Sequence, residues 1–186
     1  MRVLAIPGSL RHGSYSRGLL RAAQELAPYG VEVEIYDGLA ELPIYNEDLE
    51  SAVPTPVEDL RTRISAADAL LIATPEYNAS IPGGLKNAVD WASRPRESAS
   101  LAGKPVAVVS SSPSPFGGTW AGEQLRRSLA IAGARVLDRE LAIGKVVELF
   151  DGGELADEAT RRELAELVDD LVELASEAQA AEALAA

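Results

Sequence analysis

Residues 3–16 read VLAIPGSLRHGSYS and set the beginning of the fold. Val3 to Ile6 form a continuous apolar run of the kind that is buried on both faces of a sheet. A loop of glycines and serines follows, and the apolar spacing over Ser16–Leu26 predicts a helix. The stretch therefore predicts a buried strand, a polar loop and a helix, in that order.

The same alternation of strand and helix continues along the chain. Further strands are predicted at Val31–Tyr36, Ala69–Ala73, Val106–Val109 and Ala134–Leu137, the last with an extension at Leu141–Ile143. Helices are predicted at Val57–Ser65, Gly84–Ser93 and Thr119–Gly133, and a closing amphipathic helix has Leu164, Leu167, Val168, Leu171, Val172 and Leu174 on its apolar face. Because helices between buried strands act as crossover connections, this order predicts an α/β fold, an open parallel sheet with helices on both faces.

Two segments are assigned neither to a strand nor to a long helix. Asp37–Pro56 is long for a connection and contains three prolines, which predicts a surface flap. Residues 179–186 are rich in alanine and are predicted to fray, so residues 1–178 are predicted to form a single domain.

The composition excludes several kinds of chemistry. The 186 residues include no cysteine, which excludes a disulfide framework, a thiol nucleophile and a cysteine-ligated metal, and the single histidine, His12, argues against a zinc site. The net charge is −12, and residues 151–186 contain 11 acidic side chains against two arginines. This acidity argues against binding to nucleic acid or to an anionic membrane. No apolar run approaches a membrane span and no signal peptide pattern is present, so a cytoplasmic location is expected.

The loop after the first strand has the composition of a phosphate site. Residues 7–16 offer glycine flexibility, three serine hydroxyls, the guanidinium of Arg11 and the N–H groups at a helix start. The helix start favours an anion, and Arg11 is able to bind a phosphate monoester bidentately. The loop is not a Walker A motif, because Ser14 stands where the lysine must be, nor is it a G-x-G-x-x-G fingerprint, although Asp37 is placed to imitate the ribose acid.

Two more loops follow predicted strands and have unusual compositions. In residues 74–84, TPEYNASIPGG, two prolines and two glycines predict an irregular backbone, Tyr77 offers an aromatic wall, and Asn78 and main-chain amides suit a heterocycle. Helix capping explains Ser80 and Pro82 in this loop equally well. In residues 110–119, SSSPSPFGGT, small side chains allow close approach to the other end of the same ligand. In an open parallel sheet all three loops lie at the carboxyl ends of the strands, where ligands bind.

Five stretches carry a resemblance to a known family. They are GSLRHGSYS, LPIYNEDLE, PEYNASIPGGLKNAVDWASRP, LAGKPVAVVSSSPSPFGG and LRRSLAIAGARVL, and they run in order from about Arg2 to Leu137. With them the chain resembles the NADPH-dependent FMN reductase family, flavodoxin-like flavoproteins that reduce chromate, quinones and azo compounds. The resemblance implies a three-layer, doubly wound sheet of five parallel strands in the order 2-1-3-4-5.

The resemblance also implies a non-covalent FMN and assigns residues to it. By position, Ser9, Arg11, Ser14 and Ser16 hold the phosphate; Pro75, Glu76, Tyr77 and Asn78 line the isoalloxazine ring and ribityl chain; Ser110, Ser111, Phe116, Gly117 and Gly118 line the far edge. The chain departs from the family at Pro7, where a small residue is common, at Ser16, where asparagine is usual, and in its longer third loop.

The activity implied by the resemblance is transfer of two electrons from NADPH or NADH, through FMN, to a quinone, flavin, azo compound or metal oxyanion. No catalytic acid or base is required, since the cofactor performs the chemistry. Glu76 and Asp90 are therefore not expected to act as a carboxylate pair, and His12 is expected at the surface or near the phosphate. A homodimer or homotetramer is implied, with Lys86, Trp91, Arg94 and Arg96 as contributors to the interface. The helical spacing of Trp91 with Leu85 and Val89 makes a position in the core the other expectation for this residue.

Two proteins of similar topology are alternatives. A flavodoxin-like electron carrier shares the fold and the acidity, but its phosphate loop typically lacks arginine, and it needs a partner to oxidise NADPH. A receiver-type signalling domain requires acids after the first and third strands, and Pro7-Gly8 and Thr74-Pro75 stand there instead. The receiver domain is therefore excluded, and the electron carrier remains as the alternative to the enzyme.

Overall fold

Strands and helices alternate along the protein. The computed structural model describes residues 1–185, except for the side chains of residues 182 and 185. The strands are β1 (Arg2–Pro7), β2 (Glu32–Ile35), β3 (Ala69–Pro75), β4 (Pro105–Ser111), β5 (Arg135–Val136), β6 (Leu141–Ile143), β7 (Phe150–Asp151) and β8 (Glu154–Leu155). The α-helices are α1 (Tyr15–Leu26), α2 (Thr55–Ala66), α3 (Gly83–Ala92), α4 (Thr119–Ile131) and α5 (Glu158–Ala185). Short 3₁₀ helices cover Gly38–Glu41, Glu47–Ser51, Arg96–Ser98 and Val146–Leu149.

The central sheet is parallel and has the order β2-β1-β3-β4-β5, which confirms the predicted topology. The register pairs Val3 of β1 with Val33 on one side and Ala69 on the other, and Leu70 of β3 with Val106 of β4. The direction in which successive strands are added to the sheet reverses between β1 and β3. The loops that follow these two strands therefore run to opposite sides of the sheet and leave a crevice, which is where ligands bind in doubly wound sheets.

Two hydrophobic layers cover the sheet, one on each face. Leu4, Leu70 and Val106 pack with α2, α3 and α4, and the neighbouring residues of each strand pack with α1 and α5. This alternation follows from the period of two along a strand. It explains why the strand sequences are continuously apolar: both faces of the sheet are buried.

The fifth strand differs from the prediction in being split. The predicted Ala134–Leu137 strand with its extension becomes β5 and β6, two short segments that each pair with β4. Arg126 of α4 explains the interruption, because its guanidinium donates to the carbonyl oxygens of Leu137, Asp138 and Arg139. The side chain thus replaces the hydrogen bonds that these carbonyls would otherwise make within the sheet.

The predicted flap of residues 37–56 lies largely at the surface but is anchored to α3. Pro43 carbonyl oxygen accepts hydrogen bonds from Asn87 Nδ2 at 2.9 Å and from Trp91 Nε1 at 2.8 Å. Asn87 Oδ1 accepts from the backbone N–H of Tyr45 at 2.8 Å, and the Tyr45 ring meets the Trp91 ring edge-on. Glu50 accepts from the Tyr45 hydroxyl, and this hydrogen bond raises the pKa of Tyr45.

Trp91 belongs to the core and not to an interface. It is 0% exposed, so the expected core position is confirmed and the expectation that it contributes to a subunit contact is wrong. A buried indole N–H needs a hydrogen-bond acceptor, and the Pro43 carbonyl oxygen of the flap is that acceptor.

The closing helix α5 buries its apolar face against β3, β4 and α1. Leu164, Leu167, Val168 and Leu171 are buried, as the amphipathic pattern predicts. The helix continues through Ala185, and Gln179 donates to Asp68 at 2.8 Å, while residue 186 lies outside the described residues. The fraying of 179–186 and the assignment of 1–178 to one domain stay predictions.

Candidate active site

A cleft of about 130 Å³ opens at the carboxyl ends of β1, β3 and β4. Eight of the predicted site residues line it: Ser9, Arg11, Ser14, Ser16, Pro75, Glu76, Tyr77 and Ser111. A larger cavity of about 530 Å³ lies beside α3 and the end of α4, and none of the residues predicted to bind the cofactor lines it. The smaller cleft is the candidate active site because it lies where strand order reverses and where the three loops converge.

The first loop brings hydroxyls and N–H groups to the start of α1. Gly8 is required for close packing, since a Cβ there would lie 2.9 Å from the Leu85 side chain and 3.0 Å from the Ala73 carbonyl oxygen. Ser14 caps α1 by accepting the backbone N–H of Arg17 at 3.3 Å. Ser16 is only 1% exposed, and its hydroxyl has no hydrogen-bond partner among the described residues.

Two arginines near this loop have different surroundings. The Arg17 guanidinium forms an ion pair with Asp37 at 2.6 Å. Asp37 therefore binds an arginine of the chain, although its place in the sequence resembles that of the acidic residue that binds a ribose in dinucleotide-binding proteins. The Arg11 side chain lines the cleft and makes no hydrogen bond or ion pair with the part of the chain that is described. Arg11 is therefore the cation of this loop that is open to an anionic ligand. His12 is exposed, as predicted for a surface position.

The second loop folds into a two-residue turn. Tyr77 and Ser80 exchange backbone hydrogen bonds of 2.9 and 3.1 Å, and Asn78 and Ala79 between them both have positive φ angles, 53° and 56°. Positive φ at both central residues is the geometry of a type I′ turn. The turn brings the Tyr77 hydroxyl to 3.3 Å from Ser9 Oγ, across the mouth of the cleft.

Glu76 connects the second loop to the third. One of its carboxylate oxygens accepts the backbone N–H of Ala121 at 3.2 Å, in the first turn of α4. The residue before α4 is Gly118, which has no side chain to cap the helix, so Glu76 provides the cap from another loop. A carboxylate is favoured there by the helix dipole. Asp90, by contrast, pairs with Lys86 along α3 at 2.5 Å, so it and Glu76 do not form a carboxylate pair.

The third loop divides its predicted residues between two sides of the sheet. Ser111 lines the cleft, whereas Ser110 is buried toward α4 and donates to the Gly117 carbonyl oxygen at 2.9 Å. Ser110 therefore supports the loop and does not line the cleft, because adjacent strand residues point to opposite faces. Phe116, Gly117 and Gly118 lie beyond the cleft lining, as does Asn78 in the second loop.

A family model for NADPH-dependent FMN reductase matches residues 1–148. The chain belongs to the NADPH-dependent FMN reductase family. This membership confirms the prediction of an FMN-dependent oxidoreductase and decides against a flavodoxin-like electron carrier.

Individual relatives agree with this family assignment. An NAD(P)H-dependent FMN reductase from Pseudomonas aeruginosa is 44% identical over 164 residues, which cover 87% of this chain and 88% of the relative. A quinone reductase from Pseudomonas putida strain KT2440 is 42% identical over 170 residues, with 90% of each chain covered. The structure of FerB, a flavoenzyme NAD(P)H:(acceptor) oxidoreductase from Paracoccus denitrificans, matches with a TM-score of 0.86 at 36% identity, covering 95% of this chain and 97% of that chain.

Three residues of the cleft are not among those that the sequence predicted for this member of the FMN reductase family. Tyr15, Pro113 and Val146 also line it. Tyr15 and Pro113 stand inside the first and third loops, so their position in the sequence was a signal. Val146 had none, because backbone hydrogen bonds from Val146 and Lys145 to the third loop bring it to the cleft from a distant part of the chain.

Two negative findings complete the description of the site. Within residues 1–185, no group of three or more His, Cys, Asp or Glu side chains is arranged to hold a metal ion. The same residues contain no helix that combines the length and the hydropathy needed to cross a bilayer.

Proposed function

We propose that this member of the family holds one FMN non-covalently in the cleft and reduces quinones with NADPH or NADH as the electron donor. The observation that carries the proposal is the buried, unpartnered hydroxyl of Ser16 beside the start of α1. An unsatisfied buried hydroxyl costs about 1–3 kcal/mol, so its persistence at a helix N-terminus fits a donor kept for an anionic ligand.

The first loop suits the phosphate of FMN. Arg11 offers an unpaired guanidinium, Ser9 and Ser14 offer further hydroxyls, and the first backbone N–H groups of α1 lie beside them. A dianionic phosphate is stabilised by such a combination of charge, hydroxyls and helix dipole. Ser16 retains the hydrogen-bonding capacity that asparagine supplies elsewhere in the family.

The second loop suits the ring system. The type I′ turn leaves the backbone N–H groups of Asn78 and Ala79 without partners in the described chain, and such donors match the carbonyl and nitrogen acceptors of a flavin edge. Pro75 and Tyr77 give the cleft apolar and aromatic walls. Because Glu76 fixes the α4 start to this loop, the ring would lie between two walls held at a constant separation.

When bound, FMN would supply the redox chemistry that connects the donor NADPH or NADH to a two-electron acceptor. The chain's own residues bind and orient the reactants and leave one side of the cleft open, so donor and acceptor use it in turn. Quinone is the acceptor class favoured here, since relatives of 42% and 39% identity carry the name quinone reductase.

The visible spectrum of the purified protein tests this function. Flavin absorption bands that NADPH bleaches without air, and that return on addition of a quinone, are the expected result. Steady-state kinetics should be ping-pong, and an obligatory ternary complex would contradict a shared binding position. A colourless protein that takes up no added FMN would refute the proposal.

The chain assembles as a homodimer or homotetramer through the surface around α3. Lys86, Arg94 and Arg96 line the 530 Å³ cavity there, next to the exposed Ile131. Arginine is enriched in protein interfaces, whose centres are apolar, and Arg94, Arg96 and Ile131 fit that composition. Light scattering after size exclusion tests the assembly, and a monomer would refute it. A cytoplasmic location stays a prediction.

A further inference from the structure

Two aromatic side chains next to the cleft have no role in the core. The rings of Phe116 and Trp120 contact each other at a centroid distance of 5.5 Å and an angle of 43°. Both are nevertheless largely open to solvent, Phe116 at 62% and Trp120 at 50% exposure. Large exposed aromatic groups that adjoin a cleft are typical of binding surfaces.

The backbone connects this pair to the residues that line the cleft. Phe116 follows Pro113, which lines the cleft, by three residues. Trp120 precedes Ala121, whose N–H group bonds to the carboxylate of Glu76 in the cleft wall. Gly118, between the two aromatic residues, is so close to the cleft wall that a Cβ there would lie 3.4 Å from Glu76 Cβ, so the segment that carries the pair adjoins the cleft.

The backbone that carries the pair is fixed. Gly117 has a φ of 66°, and a Cβ there would lie 2.6–2.8 Å from the backbone of residues 142 and 143. The Phe116 carbonyl oxygen accepts from the Thr119 hydroxyl at 2.6 Å, and Ser110 holds the Gly117 carbonyl oxygen. A surface that is ordered in advance loses little entropy when it binds a ligand.

The charges around the pair favour an uncharged ligand. Glu76 and Glu123 are the acidic groups near the start of α4, and Arg126, one turn along, is paired with Glu140 at 3.4 Å. Arg127, one turn after Glu123 on the same face, has no ion pair among the described residues, but the charges next to the aromatic pair itself are the two carboxylates, which an anionic acceptor would meet first. A flat neutral ring would instead make aromatic contacts with Phe116 and Trp120. Contacts between aromatic rings contribute binding free energy beyond that of the buried area.

We propose that Phe116 and Trp120 form an aromatic platform that binds the ring of the quinone as it enters the cleft. This inference rests on the proposed function, since it assigns the residues that select the acceptor at the same site. The platform lies outside the cleft that is proposed to hold FMN, so its loss should weaken acceptor binding and leave the cofactor bound.

The test compares Trp120→Ala, Trp120→Phe and Tyr29→Ala with the unchanged holoprotein. Tyr29 is a matched control, because it is a fully exposed aromatic residue in the turn before β2, at the opposite end of the sheet. The measurements are the FMN content, the KM values for 1,4-naphthoquinone and for NADPH, kcat, and the Kd for naphthoquinone of the oxidised holoprotein without NADPH. Trp120→Ala is expected to raise both the KM and the Kd for the quinone about fivefold, with FMN content, kcat and the KM for NADPH retained. Trp120→Phe should recover most of the affinity, and Tyr29→Ala should change nothing.

Other outcomes would overturn the inference. An unchanged Kd and KM for quinone in Trp120→Ala would show that the pair does not bind the acceptor. Equal rises in the KM for NADPH and for quinone would show no selection of the acceptor, and loss of FMN would assign the pair to the cofactor site. A change of oligomeric state in light scattering would assign it to a subunit interface. Failure of the proposed function itself has a separate sign, which is an unchanged protein that binds no FMN and oxidises no NADPH.

Discussion

Replacement of Ser16 by alanine is expected to change the stability of the FMN-free protein and its affinity for FMN in opposite directions. The Ser16 hydroxyl is buried without a partner, and such a group costs about 1–3 kcal/mol. Its removal should therefore raise the free energy of unfolding of the FMN-free protein by about 1 kcal/mol. For a chain of this size that corresponds to roughly 2–4 °C in Tm.

The same hydroxyl is expected to donate a hydrogen bond to the phosphate when FMN is bound. A hydrogen bond to a charged group contributes about 1.5–3 kcal/mol. Ser16→Ala should then weaken FMN binding roughly 10- to 150-fold, at about 1.4 kcal/mol per tenfold. Thermal unfolding followed by circular dichroism gives the first quantity, and quenching of flavin fluorescence during titration gives the second.

Two controls separate this effect from a general one. In Ser14→Ala the lost hydroxyl is the cap of α1, so stability of the FMN-free protein should fall by about 1 kcal/mol. In Ser176→Ala the hydroxyl lies on the exposed side of α5, and both quantities should stay nearly unchanged. A Ser16→Ala protein that is less stable and binds FMN with unchanged affinity would refute the reasoning.

Four further predictions follow from the same structure. Arg11→Ala should weaken FMN binding roughly 10- to 100-fold in equilibrium dialysis while the Tm of the FMN-free protein stays the same, since the side chain has no partner to lose in the described chain. Glu76→Ala should lower the free energy of unfolding in urea by about 1 kcal/mol through loss of the α4 cap, and Glu76→Gln should lower it less because an acceptor oxygen remains. Gly117→Ala should destabilise the protein by about 2 kcal/mol in the same assay, because a Cβ there meets the β6 backbone and the positive φ is strained. Hydrogen bonds from Thr160 lower the pKa of Asp157, so the Tm difference between the unchanged protein and Asp157→Ala should be present above the ordinary pKa of 3.8 and disappear as the pH falls through the lowered value.

Each of these predictions has a result that would contradict it. Unchanged FMN affinity in Arg11→Ala would mean that the phosphate lies elsewhere. Equal stability of Glu76→Ala and the unchanged protein would exclude a capping role. Gly83→Ala is the control for Gly117→Ala, because a Cβ at Gly83 meets nothing within 4 Å, and equal effects would exclude the steric argument. A Tm difference for Asp157→Ala that persists at low pH would show that it does not depend on the ionised carboxylate.

The parallel sheet could be predicted from the sequence because its strands are buried on both faces. Such strands have continuous apolar runs, which are visible in the local sequence, and the run Ala69–Ala73 predicts all of β3 except its last two residues. The hairpin of β7 and β8 was not predicted, although the two consecutive glycines of its turn, Gly152 and Gly153, are a hairpin signal in a sequence. Both glycines have positive φ angles in the structure. The strands on either side have two residues each, too short for a periodic pattern.

The contacts between loops were not predictable from local pattern. Glu76 as a cap for α4 joins residues 45 positions apart, and Arg126 as a partner of three backbone carbonyls depends on where a helix packs. The resemblance to the family identified which loops matter, and eight of the assigned residues do line one cleft. It did not distinguish Ser110 from Ser111, because only the direction of the strand pleat separates them.

The double acceptance at the Pro43 carbonyl oxygen has a consequence for how the molecule opens. Both of its lone pairs are taken by side chains of α3, Asn87 and Trp91. If the connection between β2 and α2 moved away from α3, the buried side-chain N–H donors of Asn87 and Trp91 would both lose their acceptor, which is energetically unfavourable. The connection and α3 therefore belong to one cooperative unit, and amide hydrogens in both should exchange with solvent in the same slow event. A segment without a long helix or strand of its own thus shares the protection of the helix to which it is bonded.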